Sequence, residues 1–473
     1  MDTLINKVNK LTAHQPIFYF SNDIERGLGL EKVLKNYHLV CIDDNEIIDN
    51  IKKFNPNIFC LSRQIDQKIF RSSVKLLEHE FVQQYLSKFD KKYIQTFKIS
   101  PRFEKIVEHI GAKLLNTKAW LNRIFENKLN QYEVFSKAGI HFPKTIISKL
   151  KEITYEELKK ILGDNFIMQF NRGHTGSSTY QISSEEEYRK LVESFPNRRA
   201  KFTRFIDSKF TYTINCCIAK NCNYCGGISF QLTGITNLTT QRTSTVGNDF
   251  SNQWPFTDAT KCNLLSELNK IADVMKNYGY RGLFGVDFII QDDEIYIIEI
   301  NARQTASIAM YTKLQLQNNQ IPLSLLHIAE FLGVDFMIDP DKYNNENMKT
   351  YLASQVFIRV CEEEFEVKGK IRPGIYTLKS DNTARKALDD KNKDIISIDE
   401  NKDKNLIYKS SGYSIDDIKE YDGMIILARS IGMKLKRGDE LARIQLMQAV
   451  TDKECNLYPW IIEALNALKN YLN

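Results

Sequence analysis

The sequence predicts a mixed α/β protein in three parts. These are a small N-terminal α/β unit over residues 1–115, a central α+β region over 116–335, and a β-rich C-terminal region over 336–473 closed by a helix. Three observations carry this division. Near the N-terminus an apolar run, a loop with a helical continuation and a second apolar run follow one another as a parallel βαβ start does. The middle of the chain alternates helical patterns with short apolar runs and ends on an apolar hairpin around an acidic turn. Beyond residue 350 the apolar runs are short, and only 457–472 is periodic enough for a helix. At 473 residues the chain has room for about three domains.

Composition narrows the class. Hydrophobic residues at 42% and charged residues at 26% are ordinary for a globular protein and exclude collagen, coiled-coil rods and long disorder. The net charge of +6 is dispersed, with no run of five basic residues, which argues against nucleic acid as a partner. No stretch approaches the ~18 apolar residues of a membrane helix. The opening MDTLINKVNKLTAHQP is polar and lacks the apolar core of a secretion signal. The expectation is a cytoplasmic protein, without a membrane partner, whose nine cysteines are mostly reduced.

In order along the chain, PIFYF (16–20) is the first strand. SNDIERGLGLEKVLKNY is a loop with Gly27 and Gly29 followed by a helix, and HLVCIDD is the second strand. The GLGL segment lacks full G-x-G-x-x-G spacing, so a structural turn accounts for it better than a dinucleotide site. NIFCLSR (57–63) reads as a further strand. Residues 116–142 form two helices, with Lys128 opening the second; Leu129, Tyr132, Phe135 and Ala138 recur at helical spacing and Gly139 closes it. Then come the helix TYEELKKIL, the strand NFIMQF (165–170), the segment NRGHTGSSTYQI (171–182) and the helix SEEEYRKLVESF. Residues 200–230 read as strands joined by tight turns and 261–278 as a helix. DPDKYNNENMKT reads as a linker or long loop, and the mixed-sign stretch 386–404 as a solvated loop. There is no internal repeat.

The strongest chemical signal is the hairpin GVDFIIQDDEIYIIEINAR (285–303). Alternate strand residues share a face, so Glu299, Asn301 and Arg303 lie on one side, with Ile298 and Ile300 on the other. Asp287 is on the partner strand as a cross-strand neighbour of Glu299. Two carboxylates and a carboxamide are hard oxygen donors that suit Mg²⁺, or Mn²⁺ in its place. Arg303 is placed to stabilise negative charge beside such a metal. A solvated polar face is the plainer alternative. The second signal is NRGHTGSST: Gly173 and Gly176 let backbone N–H groups approach phosphate oxygens, and Ser177, Ser178 and Thr179 add hydroxyl donors. No Gly-Lys-Ser/Thr follows, so it is not a P-loop, and a hairpin turn is the alternative. Cys222-x-x-Cys225 resembles half of a zinc site that Cys216 or Cys217, but not both, could extend. Buried free thiols are the simpler reading. His327 reads as packing in a helix, and His174 as the better functional histidine.

The order of these parts resembles the ATP-grasp superfamily, of the carboxylate–amine (amino-acid or peptide) ligase type, over about residues 116–335. The resemblance implies a Rossmann-like domain preceding the grasp, a lid part at about 145–205 and a β-rich C-terminal domain, to which GMKLKRGDELARIQ (432–445) is similar. It implies that Lys128 contacts ATP phosphates, that the 171–178 loop closes over them, and that TRFI (203–206) holds adenine through Arg204, Phe205 and Ile206. Asp287, Glu299 and Asn301 would bind Mg²⁺, and Arg303 would stabilise the acyl-phosphate and the tetrahedral intermediate. Gln169 stands where such enzymes usually carry a phosphate-binding lysine, with Arg172 or His174 as replacements for the charge. Thr203 stands near the usual connector acid. A carboxylate would be phosphorylated, attacked by an amine, and released as an amide with ADP and phosphate. RQTAS (303–307) and QLTGIT (231–236) lack the residues of biotin carboxylases, which disfavours carboxylation. The substrates implied are an amino acid or small metabolite, and many relatives pair, so a homodimer is among the expectations. The alternative is a catalytically inactive nucleotide-binding regulatory or scaffold protein.

Overall fold

The computed structural model describes residues 1–65, 70–171, 179–236, 238–241, 243–252, 256–378, 406–419 and 421–473. They fall into two compact units: Met1–Ile42, Ile69–Phe230 and Gln253–Lys349 form the first, and Asp43–Lys68, Gln231–Asn252 and Thr350–Asn473 the second.

In the first unit, the strands Tyr37–Cys41, Ile17–Ser21, Tyr93–Thr96 and Lys113–Leu114 lie side by side in that order, all parallel. The expected helix between the first two strands is not formed. Ile24–Gly27 is a single 3₁₀ turn, since two glycines in GLGL lower helix propensity and the span is short. Gly27 lies so close to Tyr19 that a Cβ would meet its ring at 2.6 Å, and Gly29 has φ +124°. GLGL is thus a packed turn. A helix that apolar counting did not reveal, Asp2–Thr12, buries Leu4, Val8 and Thr12 at i, i+4 spacing.

A four-stranded antiparallel sheet follows, in the order Thr145–Lys149, Arg199–Arg204, Phe166–Phe170, Thr179–Ile182. One face packs Phe166, Met168, Phe170, Ala200 and Phe202 against the helices Tyr155–Leu162 and Glu185–Ser194. The first of these helices starts on a Thr154/Glu157 capping box, the second on a Ser184 cap. A second antiparallel sheet runs Glu294–Asn301, Gly282–Gln291, Thr211–Ala219, Cys222–Thr233. Its two tight turns place Lys220, Asn221, Asp292 and Asp293 at positive φ, the conformation that two-residue hairpins need. The cysteines do not converge there: Cys216 faces Cys225 with sulfurs 3.3 Å apart, Cys217 faces Tyr224 and Cys222 faces Ala219. Where a linker was expected, Pro340–Asn347 is a helix, capped by Asp339 with Pro340 at its first turn and burying Tyr343, Asn344 and Asn347.

His327, on the helix Leu323–Leu332, is structural. The Leu283 N–H donates to its Nδ1 at 3.0 Å and its Nε2 lies 2.8 Å from the Leu115 carbonyl. Burial pushes its pKa down to about 4, opposed by the Leu115 bond. The unfolded chain therefore takes a proton below about pH 6.5 that the folded chain refuses, and stability falls as pH drops toward 4, by up to about 1.4 kcal/mol per unit. His327→Asn is expected to melt lower at pH 7 but to lose less between pH 7 and 5. Equal losses in thermal melts of both proteins would refute this.

The second unit orders Thr245–Asp249, Ser354–Arg359, Glu440–Leu446, Met424–Ala428, Gly374–Leu378 and Leu406–Ser411 into a sheet. The helix Pro459–Leu472 ends the chain, so the β-rich reading with a closing helix holds. The stretch 386–404 lies outside the described residues. Among the described residues no helix is long and apolar enough to cross a membrane.

Candidate functional site

The site is built on the hairpin. Asp287 is directly opposite Glu299, as its sequence spacing suggested, but by a route the spacing did not show. From the acidic turn the pairing runs Gln291↔Glu294 to Phe288↔Ile297; it then shifts, so that Asp287 meets Glu299 and Ile298 is left over as a β-bulge. Ile295, Ile297 and Ile300 are buried while Ile298 is only half-buried, which corrects the expectation that Ile298 and Ile300 share the inner face. Had the same strand paired regularly, with no bulge, Glu299 would share the parity of Ile295 and Ile297 and face the core.

Around this pair the charges converge. Thr213, opposite Asp287 on the neighbouring strand, and the Asn301 amide both donate to the Asp287 carboxylate, the latter at 3.0 Å. Burial, then repulsion from Glu299, pushes the Asp287 carboxyl up to about 6. Burial also raises Glu299, but the ammoniums of Lys128 and Lys201 and the Arg303 guanidinium more than offset it, leaving this acid below its ordinary value.

Lys128 opens the helix Lys128–Ala138, with the Asn127 side chain accepting from the Leu129 and Asn130 N–H groups and Gly139 closing it at φ +61°. Its ammonium pairs directly with the Glu299 carboxylate. The buried face of this helix is Lys128, Gln131, Val134 and Phe135; Leu129, Tyr132 and Ala138 are only half-buried, so the apolar stripe is rotated from the one expected. Gln131 explains the rotation. Its amide donates to the carbonyls of Phe125 and Ile300, both at 2.8 Å, and accepts from the Ile300 N–H at 3.2 Å. It clasps the backbone beside Glu299 and fixes Lys128 over that carboxylate. Gln131→Leu is expected to leave buried backbone groups unpaired at a cost of about 1–3 kcal/mol, lowering the melting temperature and weakening ATP binding. A variant with wild-type affinity would refute the positioning role.

Arg303 is held from several sides: its Nε lies 2.8 Å from Glu126, Nη1 donates to the Gln304 carbonyl at 2.9 Å, and Nη2 donates to Asn301 Oδ1 at 2.9 Å. Its guanidinium also lies 5.4 Å from the Phe97 ring centroid. A cleft beside it is lined by Phe97, Thr117, Asn122, Arg281, Gln304 and His327.

On the four-stranded sheet Gln169 is nearly buried and donates to Thr179 Oγ1 at 3.1 Å. Sequence reasoning missed its other neighbour. Lys201, directly opposite Gln169, is 5% exposed, and burial, together with the nearby charge of Lys128, lowers its pKa to about 8. The strand alternation of KFTR, with Ala200 and Phe202 in the core, was the available signal. Arg204 ends the strand exposed, Phe205 is half-buried and Ile206 buried. Gly173, Gly176, Ser177 and Ser178, with Arg172 and His174, lie outside the described residues.

Residues 125–307 match the ATP-grasp domain family model. The large chain of carbamoyl phosphate synthase from Saccharolobus solfataricus is 24% identical over 310 residues, covering 62% of this chain and 27% of that protein. This chain therefore spans about a quarter of the length of the curated relatives it matches. N5-carboxyaminoimidazole synthase from Aspergillus clavatus, solved with ADP and 5-aminoimidazole ribonucleotide, is 12% identical and covers 96% of this chain and 97% of its own, with TM-score 0.53. Biotin carboxylase from Campylobacter jejuni, in an ATP-type complex, is 13% identical with 91% and 87% covered and TM-score 0.55. At these identities the structural likeness is one of fold. Residues 125–307 are an ATP-grasp domain.

Proposed function

We propose that this chain is an ATP-dependent ligase that joins a carboxylate to an amine through an acyl-phosphate, releasing ADP and phosphate, with an amino acid or small metabolite as substrate. The observation that carries the reading is the opposition of Asp287 and Glu299, with Lys128 and Arg303 converging on them. Burial and mutual repulsion of two carboxylates is a cost that a divalent cation relieves, so the residues fit Mg²⁺, held by Asp287, Glu299 and Asn301. When bound, the metal would screen phosphate charge and align the nucleotide. Lys128 would hold phosphate oxygens, the chain at Arg204–Ile206 would hold the base, and Arg303 would neutralise charge growing on the acyl group. Two domain boundaries, near residues 115 and 335, accompany this reading.

The test is release of ADP and phosphate from Mg-ATP against pooled amino acids and small carboxylates, bicarbonate included. Pool-dependent ADP supports the ligase, and subdividing the pool names its substrates. AMP release overturns the acyl-phosphate route. Nucleotide binding without turnover in any pool favours the inactive scaffold, a reading that Gln169 and the missing connector acid near Thr203 support.

A further inference from the structure

On the polar face of the four-stranded sheet Lys201 is a buried charge with no partner among the described residues. Gln169 and Lys201 are direct cross-strand partners, and the opposite face of the same strands is filled by Phe166, Met168, Phe170, Ala200 and Phe202, so both polar side chains turn away from that core. Gln169 is satisfied by Thr179. Lys201 is 95% buried by its 5% exposure, yet its ammonium makes no hydrogen bond or ion pair with any described residue. It lies close enough to feel both Lys128 and Glu299, and the Glu299 carboxylate is already paired with Lys128. A buried ammonium without a counter-ion is expensive. A protein keeps such a charge where a ligand supplies the missing anion, and two ammoniums near enough to feel one another suit a ligand with several adjacent negative oxygens.

We propose that Lys201 binds the phosphates of the nucleotide, gripping them together with Lys128, and that the strand pair carries this cation at position 201 while position 169 stays neutral. This rests on the nucleotide-binding reading above and deepens it. A lysine delivers its charge as a point on a flexible stem, so what matters is which of two facing positions holds it, and those positions open on the same face.

The first variant is Lys201→Met, which keeps the length of the side chain. It is expected to weaken ATP binding roughly 10–100-fold, as loss of a charge-assisted hydrogen bond does. Adenosine, which has no phosphate, should bind both proteins alike. Without ligand, the variant should melt at or above the wild-type temperature, because the uncompensated charge is gone. The second variant moves the charge across the strand pair: Gln169→Lys with Lys201→Gln should recover most of the ATP affinity, which a merely structural role for Lys201 would not permit. Equal weakening of ATP and adenosine, or ATP affinity within twofold of wild type, overturns the proposal. Inorganic tripolyphosphate separates this inference from the functional reading. If the wild type binds no ATP, the ligase reading fails, while tripolyphosphate binding that Lys201→Met abolishes still upholds the anion site. If tripolyphosphate binding is also absent, Lys201 is no phosphate ligand.

Discussion

Asp287→Asn is expected to stop turnover, by at least roughly 10²–10³-fold, in a protein that melts no lower than the wild type when no ligand is present. The two effects have one cause. Burial and the Glu299 charge hold the Asp287 carboxyl up at about 6, so at neutral pH the ionised group costs the fold about 1–2 kcal/mol after allowance for partial exposure. The neutral amide removes that cost and keeps an oxygen for the Thr213 and Asn301 donors. On the proposed reading it also removes a metal ligand, so the stabilisation that Mg-ATP gives by binding the folded state should shrink. Glu299→Gln should stop turnover equally but behave differently in the melt, since it strands the nearly buried Lys128 ammonium and destabilises. Activity surviving both changes would overturn the metal assignment.

Arg303→Ala carries the second large effect: kcat falls about 10²–10³-fold while ATP affinity stays within a few-fold of wild type. The guanidinium is fixed before any substrate arrives, by Glu126, the Gln304 carbonyl and the Asn301 amide, so in the proposed role it would act without reorganisation. Arg303→Lys is not expected to rescue, because an ammonium cannot reach those three partners in the planar fork that holds the group in place. Wild-type turnover in Arg303→Ala would sink the role.

Much of this was legible beforehand, and the rest was hidden for identifiable reasons. The hairpin and its acidic turn follow from apolar alternation and a two-residue turn, whereas the facing of Asp287 and Glu299 depends on a bulge that alternation does not show. The opening of a helix at Lys128 follows from Asn127 and Gly139. The buried face of that helix did not follow, because counting apolar residues cannot see that Gln131 is buried for its hydrogen bonds to Ile300. Lys201 was hidden by register: only the pairing of two strands more than thirty residues apart shows it to face Gln169. The helix Pro340–Asn347 was masked by an asparagine-rich composition, although Asp339-Pro340 is a start signal that outweighs it.

The bulge at Ile298 bears on how a chain of this kind is recognised. A sequence lacking Ile298 would pair without a bulge, its glutamate following Ile297 directly, and would still set that acid opposite Asp287 and away from the buried isoleucines. What keeps the two acids facing is therefore how the ladder pairs at one step, which no substitution score registers. A single-residue gap at this point is compatible with the site, whereas a strand of full length that zipped regularly past Ile298 would set Ile298 opposite Asp287 and turn Glu299 toward the core.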